Sequence, residues 1–146
     1  MFKKNRILGG IVSIVILAAF ILAACGGTPA PKNPVDVQIT VNEFNITSSL
    51  TSFSVGVPYQ FVVSNKGSAP HEIFIMAVTN EQMSADQIQA LKAAALDGIT
   101  GDDLTPGATQ SMTYTFTKAY PAGTLEFACH VTGHYEAGMK LPIIVK

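Results

Sequence analysis

Apolar and polar residues alternate with a period of two along much of the chain after residue 34. Alternation appears in three separate runs, at Val37, Ile39 and Val41, at Tyr59, Phe61 and Val63, and at Met112, Tyr114 and Phe116. Neighbouring side chains of a strand point to opposite faces, so this pattern predicts half-buried strands. Further strands are expected over 72–78, 123–129 and 141–145, with Gly- and Pro-containing turns between them. Short strands with such punctuation predict an all-β, antiparallel sandwich.

One segment has helical periodicity instead. Residues 84–87 have the pattern of a capping box, and Ile88, Leu91 and Ala95 follow at helical spacing. Gly98 is the expected end of this helix. The sequence therefore predicts one short helical insert around 84–97 that covers an edge or an end of the sandwich.

The amino terminus has the pattern of a secretory signal. Lys3, Lys4 and Arg6 precede an apolar run over 7–21, which ends in the tetrapeptide Leu-Ala-Ala-Cys at 22–25. This ending resembles the lipobox of bacterial lipoproteins. The resemblance implies a signal peptide over 1–24 and lipidation of Cys25 as the first mature residue. An uncleaved transmembrane helix over 7–24 is the alternative, since these 18 residues could just span a bilayer.

Both interpretations of the amino terminus place the remaining chain outside the cytoplasm, periplasmic or on the outer face of the cytoplasmic membrane. Residues 25–34 are rich in Pro and Gly and form a tether, and residues 35–146 form one domain. Loss of the signal removes three of nine basic residues and leaves six against ten acidic ones, a formal charge of −4. No basic patch suggests a nucleic-acid partner.

Cysteine usage points to a metal. The chain has two cysteines, and if Cys25 carries lipid, Cys129 has no partner for a disulfide. A compartment outside the cytoplasm favours disulfides, so an unpaired thiol there requires an explanation. Metal ligation is one explanation.

A second group of residues supports that explanation. Cys129, His134 and Met139 have the spacing C-x4-H-x4-M between two predicted strands. A thiolate, an imidazole and a thioether suit copper rather than magnesium, calcium or zinc. His71, at the start of another predicted strand, supplies a second imidazole. Two imidazoles and a thiolate then form a trigonal set with Met139 as a weak axial ligand.

These residues resemble the cupredoxin family of blue copper proteins. His71 matches the upstream histidine of the family, and Cys129, His134 and Met139 match its carboxy-terminal loop. The loop is longer than the plastocyanin type, C-x2-H-x4-M, and is similar to the auracyanin and rusticyanin pattern. The resemblance covers residues 35–146 and implies a Greek-key sandwich that holds one copper ion cycling between Cu(I) and Cu(II). It also implies a backbone N–H bond to the Cys129 sulfur from near Glu72.

Other candidate ligands receive different roles. His130 follows Cys129 directly and is expected on the opposite side of the strand, so it is predicted not to bind the copper. Met76 and Met83 are expected to be packing or surface residues. The carbonyl oxygen of Ala69 is a further candidate for an axial contact.

The leading functional hypothesis is a membrane-tethered one-electron carrier. It would be a monomer without enzymatic activity, would be held at the membrane by lipid on Cys25, and would meet redox partner proteins of a respiratory or photosynthetic chain. The alternative is a copper chaperone or scavenger in periplasmic metal handling. A cysteine hydrolase would need a Cys–His pair in a cleft, and a small sandwich with its Cys between loop-borne ligands does not favour this. Haem attachment would need C-x-x-C-H, and a dinuclear copper centre would need a second Cys in the loop; the sequence has neither.

Overall fold

The computed structural model describes residues 33–79 and 83–146. The signal peptide, Cys25 and most of the tether lie outside the described residues, so the predictions for them stay predictions. Among the described helices, none has the length and apolar character needed to cross a bilayer.

The described part of the chain is built mainly of short strands. In chain order the elements are β1 (Val35–Asn42), β2 (Asn45–Ser48), β3 (Ser52–Phe53), β4 (Pro58–Asn65), β5 (Ile73–Ala77), α1 (Ala85–Ala93), β6 (Asp97–Ile99), β7 (Thr109–Thr115), β8 (Tyr120–Ala128) and β9 (Lys140–Val145).

The strands form two sheets. One sheet has the order β2-β1-β4-β7, and the other has the order β3-β9-β8-β5-β6. The pairs β1 with β4 and β3 with β9 are parallel, and the other pairs are antiparallel. Neighbours within a sheet are mostly distant in sequence, so the chain crosses repeatedly between the sheets. The predicted all-β sandwich with one short helix is confirmed, although two of its strand pairs are parallel.

The core lies between the sheets and follows the period-two pattern. Val37, Ile39 and Val41 of β1 are buried, while their neighbours in that strand are less buried or exposed. Aromatic rings fill the centre: Phe53 and Phe127 of one sheet each lie 5.6 Å, centroid to centroid, from Phe61 of the other. These edge-to-face contacts hold the sheets together just below the end where β8 finishes.

The helix begins as predicted and ends earlier. The Ser84 side chain accepts a hydrogen bond from the Gln87 N–H, and the Gln87 side chain accepts one from the Ser84 N–H. The last helical residue is Ala93, and the expected terminator Gly98 lies in β6 opposite Phe74. A Cβ at residue 98 would overlap the Phe74 ring, so glycine is needed there for strand packing.

Helix α1 packs on the outer face of the second sheet. Leu91 of the helix and Ala95 after it contact a small buried cluster of Met76, Ala128 and Tyr135. Because the helix and Tyr135 together cover this face, the last four residues of β8 are buried on both sides and lose the alternating pattern. The carboxyl end of β8 is therefore the most enclosed part of the sheet.

Candidate metal centre

A buried asparagine shapes the loop that leads to His71. Asn65 is fully buried at the end of β4, and its side-chain amide donates to the carbonyls of Ala69 and Leu104, each at 2.9 Å. Its side-chain oxygen accepts from the Gly67 N–H at 2.8 Å. The His71 N–H also donates to the Leu104 carbonyl at 3.2 Å. These bonds satisfy the buried amide and fix the backbone just before β5.

Glu43 supports the same loop from the opposite side. Its carboxylate accepts hydrogen bonds from the backbone N–H and the hydroxyl of Ser68. These bonds lower the pKa of Glu43 to about 2. At Gly67 a Cβ would lie 2.7 Å from His71 Nε2, so the absence of a side chain lets the loop close over the imidazole.

The second half of the site is a loop closed at its base. Cys129 follows β8 directly, and its N–H donates to the Met139 carbonyl at 3.1 Å. The Met139 N–H donates to the His134 carbonyl at 3.0 Å. Gly133 and Gly138 have positive φ values of 82° and 99°, which favour glycine at the two sharp turns of the loop. The loop thereby folds His134 back over Cys129.

These two segments bring three predicted ligands together. The ligand atoms of His71, Cys129 and His134 all lie within 4.8 Å of one another. The two Nδ1 atoms are 3.2 Å apart, and the Cys129 sulfur is 3.5 Å from His134 Nδ1. His71 and Cys129 are fully buried, and His134 is half-buried.

The spacing of these atoms fits a first-row metal. With metal–nitrogen distances of about 2.0 Å and metal–sulfur distances of about 2.3 Å, ligand atoms of a trigonal or tetrahedral shell are about 3.2–3.8 Å apart. The distance between the two Nδ1 atoms and the distance from the Cys129 sulfur to His134 Nδ1 fall in that range, and all three ligand atoms lie within 4.8 Å of one another. Two imidazoles and a thiolate in a buried position are a donor set that suits copper.

Burial shifts the pKa values of His71 and Cys129 in opposite directions. Burial and the neighbouring His134 lower the pKa of His71, so at neutral pH its imidazole is neutral. Burial raises the pKa of the Cys129 thiol, and backbone N–H groups of Glu72 and Val131 partly oppose this. A cation between the imidazoles would favour the thiolate and displace the thiol proton.

The N–H of Glu72 lies 3.5 Å from the Cys129 sulfur, as expected for a donor from the strand that carries His71. The Glu72 carboxylate accepts the His130 N–H at 2.9 Å. It also forms an ion pair with Lys92 of α1, with 2.7 Å between Lys92 Nζ and Glu72 Oε1. This ion pair could not be predicted from the sequence, because nothing in its pattern places residue 92 beside residue 72.

Met139 and His130 take different positions. Met139 is fully buried in the same core cluster as Cys129, and its backbone is hydrogen-bonded to those of Cys129 and His134. The His130 ring stacks on Tyr135, with centroids 4.3 Å apart, and lies outside the group formed by His71, Cys129 and His134. The Ala69 carbonyl is engaged by Asn65.

Several solved structures are similar to this sandwich. Dithionite-reduced auracyanin from the photosynthetic bacterium Roseiflexus castenholzii is 22% identical, with a TM-score of 0.54 that covers 78% of this chain and 98% of that one. Auracyanin B is 20% identical, with a TM-score of 0.55, and the match covers 79% of this chain and 91% of that one. Auracyanin A from Chloroflexus aurantiacus, described as a "blue" copper protein, is 20% identical, with a TM-score of 0.53. The match covers 78% of this chain and 100% of that one. This chain has the cupredoxin fold.

Two sequence relatives of this cupredoxin-fold chain are described as copper-resistant cuproprotein CopI. The Rubrivivax gelatinosus protein is 30% identical over 91 residues, which cover 62% of this chain and 53% of that protein. The Pseudomonas aeruginosa protein is 56% identical over 34 residues, which cover 23% of this chain and 17% of that protein. The chain thus spans about half the length of the first relative and less of the second. No protein-family model matches the chain.

The ion pair between Lys92 and Glu72 gives a stability prediction. Lys92→Met leaves the buried Glu72 carboxylate without its counter-ion, and we expect it to reduce the free energy of unfolding by about 3 kcal/mol, as for other buried pairs. Urea denaturation of the metal-free protein measures the change. The double variant with Glu72→Gln should recover most of the loss, and Lys66→Met, at an exposed lysine, should change stability by less than about 0.5 kcal/mol. Equal effects of Lys92→Met and Lys66→Met would contradict the assignment.

Proposed function

We propose that this chain binds one copper ion through His71, Cys129 and His134, with Met139 as a weak axial ligand, and passes single electrons. The observation that carries the proposal is the convergence of two imidazole nitrogens and a buried thiol at ligand spacing. The auracyanin-like fold supports it, since auracyanin A is described as a "blue" copper protein. On this proposal the chain transforms no substrate and is not an enzyme.

Bound copper would supply one-electron exchange between Cu(I) and Cu(II). The chain supplies a fixed arrangement of ligands. Cys129 lies at the end of a strand enclosed on both faces, and His71 is fixed by the loop that Asn65 shapes. Because both residues are buried, they have little freedom to move when the charge of the site changes. The Glu72 N–H lies beside the sulfur and favours its anionic form.

The exposed side of the site supports a route for electrons. His134 is the least buried of the three converging ligands, and its ring meets Phe44 edge to face at a centroid distance of 5.3 Å. Phe44 is 49% exposed, and Gly133, Ala137 and Gly138 of the loop that carries His134 are also exposed. These apolar positions lie next to a ligand in space or in sequence, with the exposed acidic residues Glu43 and Glu136 as their sequence neighbours. This surface suits brief contact of a monomer with redox partner proteins of a respiratory or photosynthetic chain.

Copper handling is the second candidate function. It is favoured by the relatives, which are described as copper-resistant cuproproteins. A chaperone or scavenger would use the same ligands to store or deliver copper, and redox cycling would be incidental. The buried position of Cys129 favours slow exchange and so favours the carrier over the chaperone.

We also propose that the protein works outside the cytoplasm and is held at the membrane by lipid on Cys25. The support comes from the basic residues, the apolar run and the tetrapeptide at 22–25. Residues 25–34 would separate the copper domain from the bilayer surface. Several acyl chains would hold the protein far more firmly than one.

Colour is the first prediction of the copper proposal. The full chain, purified in detergent, should bind one copper and become intensely blue when oxidised, because a short bond between Cu(II) and thiolate gives strong charge transfer. Ascorbate should remove the colour. Cys129→Ser should abolish it, and Met112→Leu, a buried change in β7, should keep it. A colourless oxidised copper complex of the parent protein would count against the carrier.

The reduction potential tests Met139. Met139→Leu removes a donor that stabilises Cu(II) more than Cu(I), so the potential should rise while the colour persists. Met139→Gln offers a stronger oxygen donor and should lower the potential. Each tenfold change in the ratio of the two affinities corresponds to about 59 mV in a redox titration. Unchanged potentials in both variants would assign Met139 to the core alone.

Membrane fractionation tests the anchor. Cys25→Ala should release the protein from membranes or leave an uncleaved precursor, because no thiol remains to receive lipid. The copper domain should still become blue in either case, which separates loss of anchoring from loss of folding. A variant that is processed normally and stays in the membrane fraction would rule out lipidation at Cys25.

A further inference from the structure

A small cavity lies beside the loop that follows β8, and none of His71, Cys129 and His134 lines it. Its volume is about 190 Å³, and it opens between the start of α1 and the residues that follow β8. Its walls include the side chains of Met83, Ile88, His130 and Glu136. Neither Met83 nor His130 has a role in the copper site proposed above.

His130 presents a nitrogen without a partner in this region. The residue is only 6% exposed, and its Nε2 has no hydrogen-bond partner among the described residues. The ring cannot easily turn to find one. Its backbone N–H is bound to Glu72, and one face of the ring is stacked on Tyr135 with an interplanar angle of 12°. A buried polar atom without a partner destabilises the protein unless something binds it.

Met83 is linked to Tyr135 by two contacts that both involve Thr79. The Tyr135 hydroxyl donates to the Thr79 carbonyl at 2.6 Å, and the Thr79 hydroxyl lies 3.5 Å from the Met83 sulfur. Met83 and His130 both line this one cavity. A thioether sulfur and an imidazole nitrogen are thus available to one small ligand.

The charges around His130 select the ion. Glu72 and Glu136 contribute negative potential at its ring, and Lys92 and Lys140 contribute positive potential. Lys140 also lies over the Tyr135 ring, 4.2 Å from its centroid. Two charges of each sign give little net attraction for a doubly charged ion. Uncharged, soft donors in such surroundings suit a monovalent soft ion such as Cu(I) or Ag(I).

We propose that Met83 and His130 form a second metal site, which binds one Cu(I) or Ag(I) ion in the cavity beside α1. His130 remains outside the first ligand set, as expected from its position after Cys129, and acquires a ligand role of its own. Met83 is then a ligand rather than a packing or surface residue. One peptide bond joins Cys129 to His130, so the two sites would lie back to back across the end of β8.

Silver titration followed by NMR tests the second site directly. The full chain with Cys25→Ala, which removes a competing thiol, is prepared in detergent with labelled methionine methyl groups and titrated with Ag(I). The signals of Met76, Met83, Met112 and Met139 are assigned by single Met→Leu changes, and the remaining signal is that of Met1. The Met83 methyl signal should shift as Ag(I) is added, and the shift should saturate when one Ag(I) ion has bound at the second site. His130→Phe keeps a flat ring against Tyr135 and should weaken that binding by at least about tenfold.

Two variants make the result specific. Met83→Leu should abolish the Ag(I)-dependent shift of the His130 ring protons, and Met112→Leu, in the distant β7, should leave it unchanged. A Met83 signal that does not move, or one that moves equally in the His130→Phe protein, would overturn the proposal. The Met139 signal reports separately on the first site. Failure of one site is therefore distinguishable from failure of the other.

Discussion

Pairing of β5 with β8 is the constraint on which the candidate site depends. The register places Phe74 opposite Ala128, so the residues just before β5 lie beside the residue just after β8. His71 and Cys129 are brought together in this way from positions far apart in the chain. Glu72 makes three contacts at the same end. Its N–H points to the Cys129 sulfur, and its carboxylate accepts the His130 N–H and forms an ion pair with Lys92.

The second requirement is a closed loop on the same strand. Because β9 pairs with β8, with Ala128 opposite Lys140, the two ends of the loop meet where the strands begin to separate. The His134 ring is thereby carried back to the His71 ring, and Met139 is carried into the core. A loop anchored at both ends changes shape less than a free loop, which is what the proposed electron transfer would require.

Much of this architecture could be predicted from local pattern. The longer strands could be predicted from their alternation of apolar and polar residues, and the start of the helix from its capping box. The short strands β2, β3 and β6 are too brief to show a period. The prediction that Gly98 ends the helix was wrong, because the need for glycine there comes from a tertiary contact with the Phe74 ring. The spacing of Cys129, His134 and Met139 within one loop indicated a shared site. The support from Asn65, Glu43 and Lys92 depends on tertiary contacts and leaves no signal in the sequence.

The fold and the buried donors together imply one ligand geometry for both oxidation states. X-ray absorption at the copper edge, recorded for the oxidised and the reduced protein, measures this most directly. We expect one sulfur and two nitrogens close to the metal in both states, with nearly equal distances. Absence of the short sulfur distance, or a change in the number of near ligands on reduction, would contradict the account.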